Sequence, residues 1–103
     1  MNAPLTISIP HRLGKAEALR RVQTGFGRMR SDLSMLMAIE QEQWSGDTVR
    51  FNVRGFGQTA AGTIEVLEDS LRIEVVLPWL LQRLAERLAP ALRKEATLML
   101  EKK

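Results

Sequence analysis

Apolar and polar positions recur with two different periods along this chain, and the changes of period divide it into elements. Leu5-Thr6-Ile7-Ser8-Ile9 alternates strictly, the period of a half-buried strand. Pro10 ends it, because proline has no N–H to give to a sheet ladder. Apolar residues then fall at Leu13, Ala16, Leu19, Val22, Phe26, Met29, Leu33 and Leu36, in steps of three and four. That spacing predicts an amphipathic helix, with Glu17, Arg21, Thr24 and Arg28 on its other side. Gly25 and Gly27 fall inside it, where each costs up to ~1 kcal/mol relative to alanine. They are expected to bend the helix or to admit a close neighbour.

The shorter period then returns. Ala38 to Trp44 reads as a strand and Ser45-Gly46-Asp47 as a tight turn. Val49, Phe51 and Val53 alternate with Arg50, Asn52 and Arg54. Gly55-Phe56-Gly57 makes the next turn, and Gln58 to Leu67 follows as a strand with Ile64 and Val66 inward. After Glu68-Asp69-Ser70 turns the chain, Leu71, Ile73 and Val75 alternate with Arg72 and Glu74. Strands joined by such short turns make an antiparallel meander. Leu77, Leu81, Leu84, Leu88, Leu92, Ala96 and Met99 return to helical spacing. Pro78 suits the start of that helix. Pro90 predicts a kink or break near Arg87–Ala89, since it removes a backbone hydrogen bond. The expected fold is α+β, a single domain over 1–103 in the order β-α-β-β-β-β-α. Both helices pack against an antiparallel sheet, and the C-terminal helix is kinked or broken near Pro90.

Composition narrows the chemistry. With no cysteine among 103 residues, disulfides, thiol catalysis and cysteine-ligated metals are excluded. A single histidine, His11, cannot build a multi-histidine metal site within one chain. No apolar stretch approaches the ~20 residues of a membrane span. Met1-Asn2-Ala3-Pro4 lacks the basic-then-apolar pattern of a secretory signal, so a cytoplasmic protein is expected. The net charge of +3 is unevenly placed. Residues 1–31 carry a net +5, residues 32–76 a net −5 and residues 77–103 a net +3. The basic segments are the predicted helices, whose surface could meet nucleic acid, a membrane or an acidic protein.

Candidate sites are few. Glu40 and Glu42, two apart, are expected on one strand face, where with Arg50, Arg54, Glu65, Arg72 and Glu74 they form a ladder of cross-strand pairs. Such an open face lacks the cleft an acid/base pair needs. Gly25-Phe26-Gly27 lacks phosphate-loop spacing. Aromatic residues are not interleaved with basic ones on a strand, so nucleic acid is not an expected partner. His11 is expected to pack at, or cap, the strand-to-helix junction. The most suggestive segment is Trp79-Leu80-Leu81 beside Pro78. Trp79 and Leu80 lie off the stripe, and Arg83 and Arg87 follow closely. Aromatic and leucine side chains flanked by arginines resemble an interfacial segment. Leu98 and Leu100 widen the apolar surface of the last helix, which fits a wide core face, a self-association surface or an apolar assembly surface.

The stretch from Ile7 through Pro10-His11-Arg12-Leu13-Gly14-Lys15-Ala16-Glu17-Ala18 resembles the opening of the polyhydroxyalkanoic acid system protein family. The similarity continues through Trp44-Ser45-Gly46-Asp47, Val49-Arg50-Phe51, Ala61-Gly62-Thr63-Ile64-Glu65-Val66, Leu71-Arg72-Ile73-Glu74-Val75 and the Leu-rich end after Leu77-Pro78. The interior Pro90 departs from the family's pattern. The resemblance implies an association with the bacterial storage polyester polyhydroxyalkanoate and carries over no catalytic residue, metal or cofactor. It gives Pro10, His11, Leu13 and Gly14 structural roles: a strand stop, a junction side chain, a core residue and a helix-start glycine.

The expected function is that of a non-enzymatic accessory protein, binding the granule surface or a granule-associated protein through Trp79, Leu80, Leu81, Arg83 and Arg87. Two alternatives stand beside it. One is a small helix-on-sheet domain binding an apolar ligand in room left by Ala60 and Gly62. The other is a homodimeric interaction or regulatory module using the basic first helix. No nucleophile–base, metal or cofactor constellation suggests an enzyme.

Overall fold

The computed structural model describes residues 3–55 and 57–101, without the side chains of Ala3, Leu80 and Leu81. Its elements are β1 (Ala3–Pro10), α1 (Lys15–Asp32), β2 (Ala38–Ser45), β3 (Thr48–Gly55), β4 (Gln58–Val66), β5 (Ser70–Leu77), a 3-10 helix (Trp79–Leu84) and α2 (Ala85–Glu101). This is the predicted order. The five strands form one antiparallel sheet, arranged β1-β5-β4-β3-β2. β2 to β5 make the meander, and β1 closes the sheet beside β5. The two outer strands are protected from further pairing: β1 carries Pro4 and Pro10, and β2 carries a bulge.

One face of the sheet is buried beneath the helices. Ile7 and Ile9 of β1, Ile39 of β2, Val49, Phe51 and Val53 of β3, Ala60, Ile64 and Val66 of β4, and Leu71, Ile73, Val75 and Leu77 of β5 form it. Ala18, Val22, Phe26, Met29 and Leu33 cover it from the α1 side, and Leu88, Leu92, Ala96, Met99 and Leu100 from α2. Removing these side chains from water is the main force holding the layers together, at ~1.5–3 kcal/mol for each fully buried large one. The other sheet face, with Arg50, Arg54, Arg72, Thr59, Ser8 and Thr6, is open and polar.

The departures from the expected pattern have local causes. The apolar stripe outruns α1: residues after Asp32 form a turn in which Leu36 and Met37 both donate to the Leu33 carbonyl. Ala16 is exposed and Ala18 is buried instead, because Ala18 lies four residues before Val22 and eight before Phe26, on the face that meets the sheet. Leu77 belongs to β5, opposite Ala3, and not to the last helix. Gly25 meets the Met99 side chain of α2: a Cβ there would lie 2.7 Å from Met99 Cγ. Gly27 has open space around it.

Helical geometry changes between Leu84 and Ala85, where the 3-10 helix gives way to α2. α2 then continues through Pro90, with no break at Arg87–Ala89. Pro90 is exposed, and the bond it cannot make would go to Glu86 in the first turn, beside water.

The bulge in β2 corrects the reading of Glu40 and Glu42. Ile39 pairs with Val53 and Trp44 with Val49, so β2 spends one residue more than β3 over the same span. Gln41 takes it up at φ 56°. Both Ile39 and Trp44 thereby reach the core side, where Trp44 packs edge-on against Phe26 at 5.9 Å. Glu40 stays on the open face and pairs with Arg54 at 2.9 Å. Glu42 leaves it, accepts from Trp44 Nε1 and lies 3.7 Å from Arg30 of α1. The expected ladder is correspondingly shorter. Arg72 pairs with Glu74 on its own strand at 3.4 Å, and Arg50 makes no ion pair among the described residues.

Candidate functional site

The two groups of residues singled out in the sequence lie at opposite ends of the sheet. The junction group is at the end where β1 finishes and α1 starts. Pro10 is the last residue of β1, opposite Ser70. The His11 N–H donates to the Asp69 carbonyl at 2.9 Å. The His11 ring then bridges two chain segments. Its Nδ1 accepts the Leu13 N–H at 3.2 Å, and its Nε2 lies 3.2 Å from the Leu67 carbonyl. A proton on Nε2 satisfies both contacts at once. Leu13 packs half-buried against the core. Gly14 precedes α1 at φ 79° and ψ 159°, a region open in practice only to glycine. Its carbonyl accepts the Ala18 N–H at 3.0 Å and begins the helix. The junction fixes how α1 leaves the sheet.

The second group follows β5. Pro78, at φ −57° and ψ 152°, starts the 3-10 helix. The Gln82 side chain ties that helix to the sheet by donating to the Leu77 carbonyl at 2.8 Å. Trp79 is 66% exposed, far from the usual environment of an indole. Arg83 and Arg87 are exposed as well. The side chains of Leu80 and Leu81 lie outside the described residues.

Sequence reasoning missed a residue at this end. Met35, in the turn after α1, is 95% exposed. The strand registers place it: the start of β2 at Ala38 pairs with Arg54, Gly55 pairs with Gln58, and Ala61 pairs with Val76 near the end of β5. The α1–β2 turn, the β3–β4 turn and the start of the 3-10 helix therefore share one end of the sheet. Met35 and Trp79 are the two large apolar side chains exposed among the described residues. Phe56, within the β3–β4 turn of the sequence, lies outside the described residues. The signal for Met35 was available: it breaks the phase set by Leu33 and Leu36.

Positive charge is distributed to match. The basic residues of α1 are largely satisfied within the molecule. Lys15 pairs with Asp47 at 3.3 Å, Arg28 with Asp32 at 3.5 Å and Arg30 with Glu42 at 3.7 Å. Glu17 takes Arg20 at 2.6 Å and Arg21 at 2.7 Å. These hydrogen bonds, Arg20 first and then Arg21, hold the Glu17 carboxyl down at about 2. Arg21 also donates to the Leu100 carbonyl, which ties α1 to the end of α2. By contrast Arg83, Arg87, Arg93 and Lys94 make no ion pair among the described residues.

One further place could hold a small group, and a second expected one is filled. A groove of about 150 Å³ runs between the helices, with Gly25, Leu98 and Met99 as its apolar part and Arg20, Arg21 and Arg28 beside it. Glu95 lines it and is buried. Burial, followed by a hydrogen bond with Asp32, pushes its carboxyl above the usual glutamate value. Between sheet and helices, the room expected over Gly62 is taken by the Phe51 ring, which lies against it from the neighbouring strand. Among the described residues no three histidine, aspartate or glutamate side chains converge as a metal site would need. Among the described residues no helix is long and apolar enough to cross a membrane.

No curated protein and no solved structure matches the chain. One family model does, described as Putative polyhydroxyalkanoic acid system protein, and it matches residues 5–100. That span takes in both the junction around His11 and the segment from Trp79 to Arg87, and the chain belongs to this family.

Proposed function

We propose that this chain is a non-enzymatic accessory protein of polyhydroxyalkanoate storage, seated on the granule surface through the segment from Trp79 to Arg87. The observation that carries the reading is the exposed Trp79 beside Arg83 and Arg87, which no acidic residue among those described neutralises. Family membership supplies the context.

The chemistry is that of an interfacial contact. A polyester body in water presents an apolar surface studded with ester carbonyls and, at chain ends, carboxylates. An indole ring entering it loses unfavourable contact with water, while its N–H still finds an ester oxygen. Arginine stems lie along the surface with their guanidinium groups in water or against carboxylates. Holding Trp79 on a 3-10 helix tied to β5 by Gln82 keeps it from folding back.

Replacing Trp79 and Leu80 together by glutamate is the direct test. Trp79 is exposed and lies outside the buried core. The variant is expected to keep the circular dichroism and melting behaviour of the parent while recovery with isolated granules falls at least about tenfold. Unchanged recovery would refute this mode of binding. The reading of an apolar ligand held under the helices is disfavoured by Phe51, which occupies the space over Gly62.

A further inference from the structure

We infer that Met35 is a second anchor, and that the protein stands end-on upon the polyester surface with Met35 and Trp79 both in contact; this rests on the granule-surface reading above. Met35 and Trp79 are the two exposed large apolar side chains among the described residues, and the registers bring both to one end of the sheet. β5 and β2 are three positions apart in the sheet, a lateral separation of about 14 Å. Two exposed apolar side chains next to strands this far apart suit a broad, nearly flat apolar surface better than the narrow groove of a folded partner.

The occupant follows from charge. Arg83 and Arg87 stand beside Trp79 without acidic partners among the described residues. A two-fold dimer through this end would gather the same uncompensated positive charge from both copies into one interface. A surface that is both apolar and anionic, as a polyester with carboxylate chain ends is, meets both features. The opposite end, with the Gly46 turn and the His11 junction, then faces water.

The chain has no cysteine, so one introduced cysteine reports from one place. Met35→Cys and Ser45→Cys put a polarity-sensitive maleimide dye at opposite ends of β2 and the turn before it. Each labelled protein is mixed with amorphous polyhydroxybutyrate particles and sedimented. The expected result is a blue-shifted emission, shielded from aqueous iodide, at position 35 and none at position 45. In parallel, Met35→Glu is expected to weaken sedimentation about tenfold with unchanged melting, since the side chain it replaces makes no core contact. Sedimentation of both labelled proteins with no shift at 35, or with equal shifts at both sites, would overturn the second anchor alone. Failure of the unsubstituted protein to sediment would overturn the granule-surface reading and this one with it.

Discussion

Gly14 and Gly27 are the same residue type in and beside one helix, yet their substitutions should act in opposite directions. Gly14 holds φ 79° and ψ 159°, so Gly14→Ala should cost about 1–3 kcal/mol in chemical denaturation. Gly27 is a helical residue with nothing within 4 Å of where a Cβ would be. Gly27→Ala should therefore raise stability by about 0.5–1 kcal/mol. Loss in both, or gain in both, would contradict the backbone account. The two perturbed glutamates also oppose one another. Glu17 is held down at about 2, from a usual 4.5, by Arg20 and then Arg21. Its folded state releases the proton more readily, so its contribution is present above about 4.5 and lost as pH falls toward about 2. Glu95 is raised by burial and by Asp32, so its contribution is present below 4.5 and lost as pH rises above that value. Glu95→Gln should thus gain stability relative to the parent as pH increases from 4 to 7, read from paired thermal melts. A constant difference across that range would refute the assignment.

At the scale of elements, regular periods were legible and irregular ones were not. β3 and β5 alternate without interruption, and their inward residues follow that period from Val49 to Val53 and from Leu71 to Val75. β2 defeated the same reasoning because a one-residue bulge at Gln41 reverses the alternation halfway, and no proline or glycine announces it. Leu77 fits either period, and only its pairing with Ala3 assigns it to the sheet. Pro90 was expected to interrupt the last helix. The interruption falls earlier, where the 3-10 helix precedes Ala85, and the helix tolerates Pro90 at an exposed position near its start. Pro90→Ala should restore the missing bond to Glu86 and stabilise the protein by about 1–3 kcal/mol. Destabilisation by a similar amount would mean that the ring itself makes a contact the fold depends on.

The whole molecule is a sheet with one face committed to its helices and two ends of different character. The junction end was legible, because Pro10, the chain's single histidine and Gly14 fall together where a strand must turn into a helix. The exposed end was legible only in part. Trp79, Arg83 and Arg87 stood out as a local run, but Met35 lies 44 residues before Trp79 in the sequence, and only the strand registers bring them to one end. The proposed function depends at this scale on what that end touches. The most direct measurement is sedimentation of the tagged protein with polyhydroxyalkanoate granules from accumulating cells, against a cytosolic control protein. The account predicts clear enrichment of the protein on the granules relative to the control. Recovery in the soluble fraction alone, at the level of the control, would contradict it.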